Sequence, residues 1–171
     1  TPQALIPRPE TELVVQRAIQ LLDGKSSAVV LDIGTGSGAI ALAIAHACPA
    51  ITCVAGDVSE DALALARSNA EKTGLQQRVE FRHGNLFEVI ASGEAFDLIV
   101  SNPPYIPSGE IAALQPEVQH DPPLALDGGP DGLDIIRKLI AGSAPFLKKE
   151  GWLVFEIGQH QADPVRQLLV E

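Results

Sequence analysis

Apolar, β-prone runs alternate with helical segments along this chain, and that alternation narrows the fold more than any other feature. Residues 28–33 (Ala-Val-Val-Leu-Asp-Ile) form a continuous run of the kind expected for a strand buried on both faces. Residues 51–56 read as a second strand, Val79–Arg82 as a short alternating one, Phe96–Ser101 as another buried strand and Trp152–Ile157 as a fifth. Helical segments are predicted at 10–23, 38–47, 60–73, 131–149 and 161–170. Leu13, Val14, Ala18, Leu21 and Leu22 give the first its apolar stripe, and Gly24 is its stop signal. Ser59 is placed to cap the third helix, with Glu60 and Asp61 in its first turn and Gly74 at its end. Gly142 and Pro145 are expected to shorten the helix at 131–149.

The order β-α-β-α-β-β-α-β-α predicts an α/β domain: a mostly parallel sheet with helices on both faces. Ligands of such sheets bind beyond the carboxyl ends of the strands. Five segments fall there: Asp32–Gly38, Asp57, Gly84–Phe87, Ser101–Tyr105 and Glu156–Gly158.

Size and composition agree with one packed domain. The chain has 171 residues, 46% of them hydrophobic and 20% charged, which argues against disorder. Its 12 Lys and Arg against 22 Asp and Glu give a net charge of −10, a poor surface for neutralising a long run of phosphates. No apolar run reaches membrane-spanning length, and no basic region followed by an apolar stretch opens the chain. Cys48 and Cys53 make neither a disulfide framework nor a metal site, so a reducing cytoplasm is the expected compartment. His46, His83, His120 and His160 lack ligand spacing, and no metal is expected.

Gly34, Thr35, Gly36, Ser37 and Gly38 join the first strand to its helix. Glycines there permit positive φ and close approach of a ligand to the backbone. Asp57, 23 residues beyond Gly34, ends the second strand, where a carboxylate can accept both hydrogen bonds of a ribose diol. Loop and acid together point to a nucleoside cofactor. Gly34-x-Gly36-x-x-Ala39 also satisfies the looser dinucleotide fingerprint, so the residues alone leave NAD open.

Asn102-Pro103-Pro104-Tyr105 follows the fourth strand. A planar NH2 group is a poor nucleophile because its lone pair is delocalised. Two acceptors placed for its two hydrogens, the Asn102 side-chain oxygen and the Pro103 carbonyl, would orient it and favour a more tetrahedral nitrogen. Consecutive prolines stiffen the loop, and Tyr105 offers a flat face for the substrate group.

The spacing Gly34-x-Gly36-x-Gly38 after Asp32 resembles the cofactor loop of Rossmann-like class I S-adenosylmethionine-dependent methyltransferases. That resemblance implies that Asp57 binds ribose and that Asn85 and Leu86 lie beside adenine, although many members carry Asp where Asn85 stands. Asn102–Tyr105 resembles the signature of amino-methyltransferases, which act on adenine N6, on related base amines or on glutamine amides. Two more segments, Leu5–Glu12 (Leu-Ile-Pro-Arg-Pro-Glu-Thr-Glu) and His120–Leu133, complete a resemblance to the release factor glutamine methyltransferase family, running from Leu5 to Gly158. It implies N5-methylation of the glutamine in the Gly-Gly-Gln motif of peptide chain release factors, the release factor as protein partner, and S-adenosylmethionine as cofactor with S-adenosylhomocysteine as product. Asn102, Pro103 and Tyr105 would serve catalysis, Asn102, Pro103, Pro104 and Tyr105 would together bind the substrate, and Asn102 would also touch the cofactor. Methylation of an exocyclic amine on nucleic acid is the alternative; direct nucleic-acid binding and a membrane are not expected. Family members also carry an N-terminal helical domain and two closing strands. With Thr1 at its start and no Met, residues 1–171 therefore read as a catalytic domain truncated at both ends.

Overall fold

A computed structural model describes residues 4–5, 7–115, 118 and 120–170. Five strands form one sheet: β1 (Ala28–Ile33), β2 (Ile51–Asp57), β3 (Val79–His83), β4 (Phe96–Ser101) and β5 (Leu147–Phe155). The order is β3-β2-β1-β4-β5 and every pairing is parallel. The helices are α1 (Thr11–Leu22), α2 (Ala39–Ala47), α3 (Glu60–Thr73), α4 (Asp134–Ser143) and α5 (Ala162–Leu168).

Successive strand residues face opposite sides of the sheet, and both sides are apolar. Val30, Cys53, Ala55, Leu98 and Val100 pack with α1 and α2 through Val14, Ala18, Ile40 and Ile44. Leu31, Ile33, Val54 and Ile99 face the other way, toward Leu139 of α4 and Val89. That two-sided burial explains why β1, β2 and β4 read as apolar runs rather than alternating ones. The Ser59 hydroxyl caps α3 by accepting from the Ala62 N–H at 3.2 Å, and Gly74 ends it at φ 72°.

The third crossover departs from expectation. The helix read at 131–149 is confined to Asp134–Ser143, followed by a 3-10 turn over Ala144–Phe146. Pro145, which has no N–H, ends the helical ladder. Leu147 then pairs with Phe96, so the strand expected at 152–157 begins at 147 and ends at 155. A register shift between Phe96 and Leu98 takes up the extra residues, with Glu150 in the left-handed region at φ 63°. Three short 3-10 segments lie at Leu86–Val89, Ser108–Ala113 and Pro123–Ala125.

Strand register sets the site. Ile33 lies level with Gly56 and Ser101, Asp57 with His83, and Ser101 with Phe155. The segments that follow these residues therefore leave the sheet at one end, beyond the carboxyl ends of the strands.

Candidate functional site

A cleft of about 980 Å³ opens at that end. Of the residues singled out in the sequence, Gly34–Ser37, Asp57, Asn85, Leu86 and Asn102–Pro104 line it. The wall also includes Pro122–Ala125, part of the His120–Leu133 segment.

Gly34, Gly36 and Gly38 adopt φ of 70°, 56° and 82°. A side chain at Gly34 would meet nothing within 4 Å, so conformation alone requires glycine there and the space in front of the turn stays open. Gly38 is constrained twice, since an added Cβ would also lie 3.2 Å from the Ala66 Cβ. The turn is tied to β2: Gly34 and Thr35 N–H groups donate to the Gly56 carbonyl at 2.9 and 3.0 Å. The Thr35 hydroxyl points inward, donating to Asp32 at 2.7 Å, while the Ser37 carbonyl accepts from the Asn69 amide at 3.0 Å. Asp32 is fully buried, and burial pushes its carboxyl up to about 6.

Asp57 already serves the protein. One carboxylate oxygen accepts from the Gly36 N–H at 2.8 Å and the other from the Ser59 N–H at 2.9 Å. Each oxygen keeps a second lone pair for a ligand. Beyond β3, the Asn85 N–H donates to the Glu88 carboxylate at 3.0 Å, and Leu86 holds an unusual φ of 51°.

Beyond β4, Pro103 is buried and Asn102 half-buried. The Asn102 amide donates to the Thr11 hydroxyl at 3.0 Å, and Thr11 donates to Glu156 at 2.9 Å. Tyr105 departs from expectation. It is not among the residues lining the cleft; its ring packs on Leu133, Ile136 and Val165, and its hydroxyl donates to Glu156 at 3.0 Å. Burial first, then the Glu156 charge, pushes its phenol up to about 12, so it stays a donor at neutral pH. The loop after Asn102 doubles back: the Ile106 N–H donates to the Leu126 carbonyl at 3.0 Å, and the Gly128 N–H to the Ile106 carbonyl at 2.9 Å. Gly128 has to be glycine, because a Cβ would lie 2.8 Å from the Tyr105 Cα. Arg8 pairs with Asp121 at 2.7 Å, which joins the two segments flanking the motif. Ile6, within the first of them, lies outside the described residues.

Thr11 and Glu156 received no role from the sequence. Glu156 fell at a strand end where ligands bind, and Thr11 entered only as one residue of the Leu5–Glu12 segment. Among the described residues, no helix is long and apolar enough to cross a membrane, and no group of three His, Cys, Asp or Glu could hold a metal ion.

A release factor glutamine methyltransferase from Gloeobacter violaceus is 49% identical over 169 residues, covering 98% of this chain and 59% of that protein. The chain thus spans little more than half the length of that relative. Among solved structures, the hMettl16 catalytic domain in complex with MAT2A 3'UTR hairpin 1 superimposes with a TM-score of 0.78 at 18% identity, covering 98% of this chain and 63% of the other. A methyltransferase from Thiobacillus denitrificans in complex with S-adenosyl-L-homocysteine gives a TM-score of 0.55 at 22% identity, covering 86% and 48%. The model of the methyltransferase small domain matches residues 11–121, from the first turn of α1 through the glycine loop, Asp57 and Asn102–Tyr105, and the chain belongs to that family.

Proposed function

We propose that this domain methylates the side-chain amide nitrogen, N5, of the glutamine in the Gly-Gly-Gln motif of peptide chain release factors, with S-adenosylmethionine as cofactor and S-adenosylhomocysteine as product. One observation carries the reading: Asn102, Pro103 and Pro104 share a single cleft with the glycine loop and Asp57. A nucleoside site and an amide-orienting loop therefore face the same space.

The residues present fit the cofactor. The open turn at Gly34 leaves room for a ligand against the backbone, the spare lone pairs of Asp57 suit ribose hydroxyls, and Asn85 and Leu86 border the position for adenine. When bound, S-adenosylmethionine supplies a methyl group on a cationic sulfur that departs as a neutral thioether. The chain's own task is to present the amide. The Asn102 side-chain oxygen and the Pro103 carbonyl would accept its two hydrogens, holding the nitrogen lone pair toward the reacting carbon. Acceptors fixed for a more tetrahedral nitrogen serve the transition state more than the ground state. The methylated nitrogen then releases its extra proton to solvent, so no side chain is assigned as a base.

The charge pattern supports a protein substrate over a polyanion. Among the described residues, the ionisable side chains lining the cleft are Asp57, Asp61, Asp127, Asp134 and Lys138. Such a surface repels a phosphate backbone. A release factor partner and a cytoplasmic setting follow from the same reading, which the name of the Gloeobacter relative supports.

Calorimetry and turnover on one variant test the assignment. Asn102→Ala should bind S-adenosylhomocysteine within about twofold of wild type and lose roughly a hundredfold or more in turnover, the scale of a lost transition-state hydrogen-bond partner. NADH should not bind. Undiminished methylation of a release factor by Asn102→Ala would overturn the role given to the motif.

A further inference from the structure

An amide has two ends of similar shape, and only one is an acceptor. Asn102 can orient a substrate NH2 group only with its oxygen toward the cleft. Something must therefore decide which end faces in.

The structure points to a one-way chain of hydrogen bonds. Glu156 follows β5, where its backbone N–H donates to the Ser101 carbonyl at 3.1 Å, and this holds it beside Asn102. An ionised carboxylate only accepts. One of its oxygens takes the single proton of the Thr11 hydroxyl at 2.9 Å, and the other takes the Tyr105 hydroxyl proton at 3.0 Å. With its proton spent on Glu156, the Thr11 oxygen can only accept from Asn102, and it does so at 3.0 Å. The NH2 end of Asn102 is thereby drawn to Thr11, and the carbonyl end is left for the substrate. Thr11 is only 6% exposed, although it borders the cleft, so its hydroxyl is held within this chain of bonds.

We propose that Thr11 and Glu156 are positioning residues that fix the orientation of the Asn102 amide, with Tyr105 anchoring Glu156 from the other side. This rests on the amide-methylating reading above. It also gives Tyr105 a task that its packed ring permits, in place of stacking on substrate.

Kinetics and a substrate-free measurement test it separately, both on the intact protein. Thr11→Val keeps the shape and removes the hydroxyl; Thr11→Ser keeps the hydroxyl. Thr11→Val and Glu156→Gln should each lower kcat about tenfold or more, with KM for release factor and affinity for S-adenosylhomocysteine within about twofold, and Thr11→Ser should recover most of the loss. In nitrogen-15 spectra without substrate, the side-chain amide pair that disappears in Asn102→Ala should exchange slowly in wild type and Thr11→Ser, and fast in Thr11→Val. An unchanged kcat in Thr11→Val overturns the proposal. So does a parallel loss of kcat, cofactor affinity and melting temperature, which marks a merely structural contact. A wild-type protein that leaves release factor unmethylated defeats the assigned reaction, while the Asn102 resonances still report on the positioning.

Discussion

Asp32 ends a buried strand and carries a carboxylate into the core. One oxygen accepts from the Thr35 hydroxyl at 2.7 Å and the Ala41 N–H at 3.2 Å, while the other has no partner among the described residues. Two hydrogen bonds do not offset the loss of water, and the carboxyl rises from 3.8 to about 6. A raised acid costs stability once it ionises. Between those two values the folded chain holds more protons than the unfolded one, so this contribution falls as pH rises. The stability of wild type relative to Asp32→Asn should therefore improve by about 2–3 kcal/mol from pH 7 to pH 4, as read by urea unfolding at both. A difference that stays constant with pH would show that Asp32 does not titrate in this window. At this scale the sequence exposed side chains whose chemistry is local to a motif, such as Asp57 and Asn102. It hid Thr11 and Glu156, because their partners lie 91 and 145 residues away in the chain and no spacing rule reaches that far.

The parts of the cleft are placed by elements that pack at close range. Gly56 is a case in β2: a Cβ there would sit 2.8 Å from both methyl groups of Val89. Val89 closes the 3-10 turn that carries Asn85 and Leu86, and it is buried against β1 and β2. Gly56→Ala should cost about 1–3 kcal/mol by overpacking. Because Val89→Ala frees the same space, the double variant should be more stable than the sum of the singles by at least about 0.5 kcal/mol, measured in a double-mutant cycle. Strict additivity would mean that the turn moves aside on its own. Elements with strong local signals were legible: the apolar runs of β1, β2 and β4, the Ser59 cap and the Gly74 stop. The stretch 144–151 was not. Helical and strand patterns overlap there, and only pairing of Leu147 with Phe96, set by the folded sheet, makes it a strand.

For the whole molecule, parallel register does what no single element can. It brings the ends of β1, β2, β4 and β5 level, so that a glycine loop, a carboxylate and an amide-bearing proline loop share one wall-lined space. That convergence was legible in outline from the alternation of strands and helices, since the sites of such sheets lie beyond the strand ends. The stitching of the long loop between Asn102 and Leu133 was not, because its bonds from Arg8 to Asp121 and from Ile106 to Leu126 are tertiary. The acidic balance of −10 and the acids along the cleft bear on the central claim, which is a choice of amine. The most direct measurement offers the intact protein tritiated-methyl S-adenosylmethionine with a release factor and a nucleic acid in one reaction. Label should enter the release factor alone, on the glutamine of its Gly-Gly-Gln motif, and vanish with Asn102→Ala. Label in the nucleic acid, or in neither substrate, would contradict it.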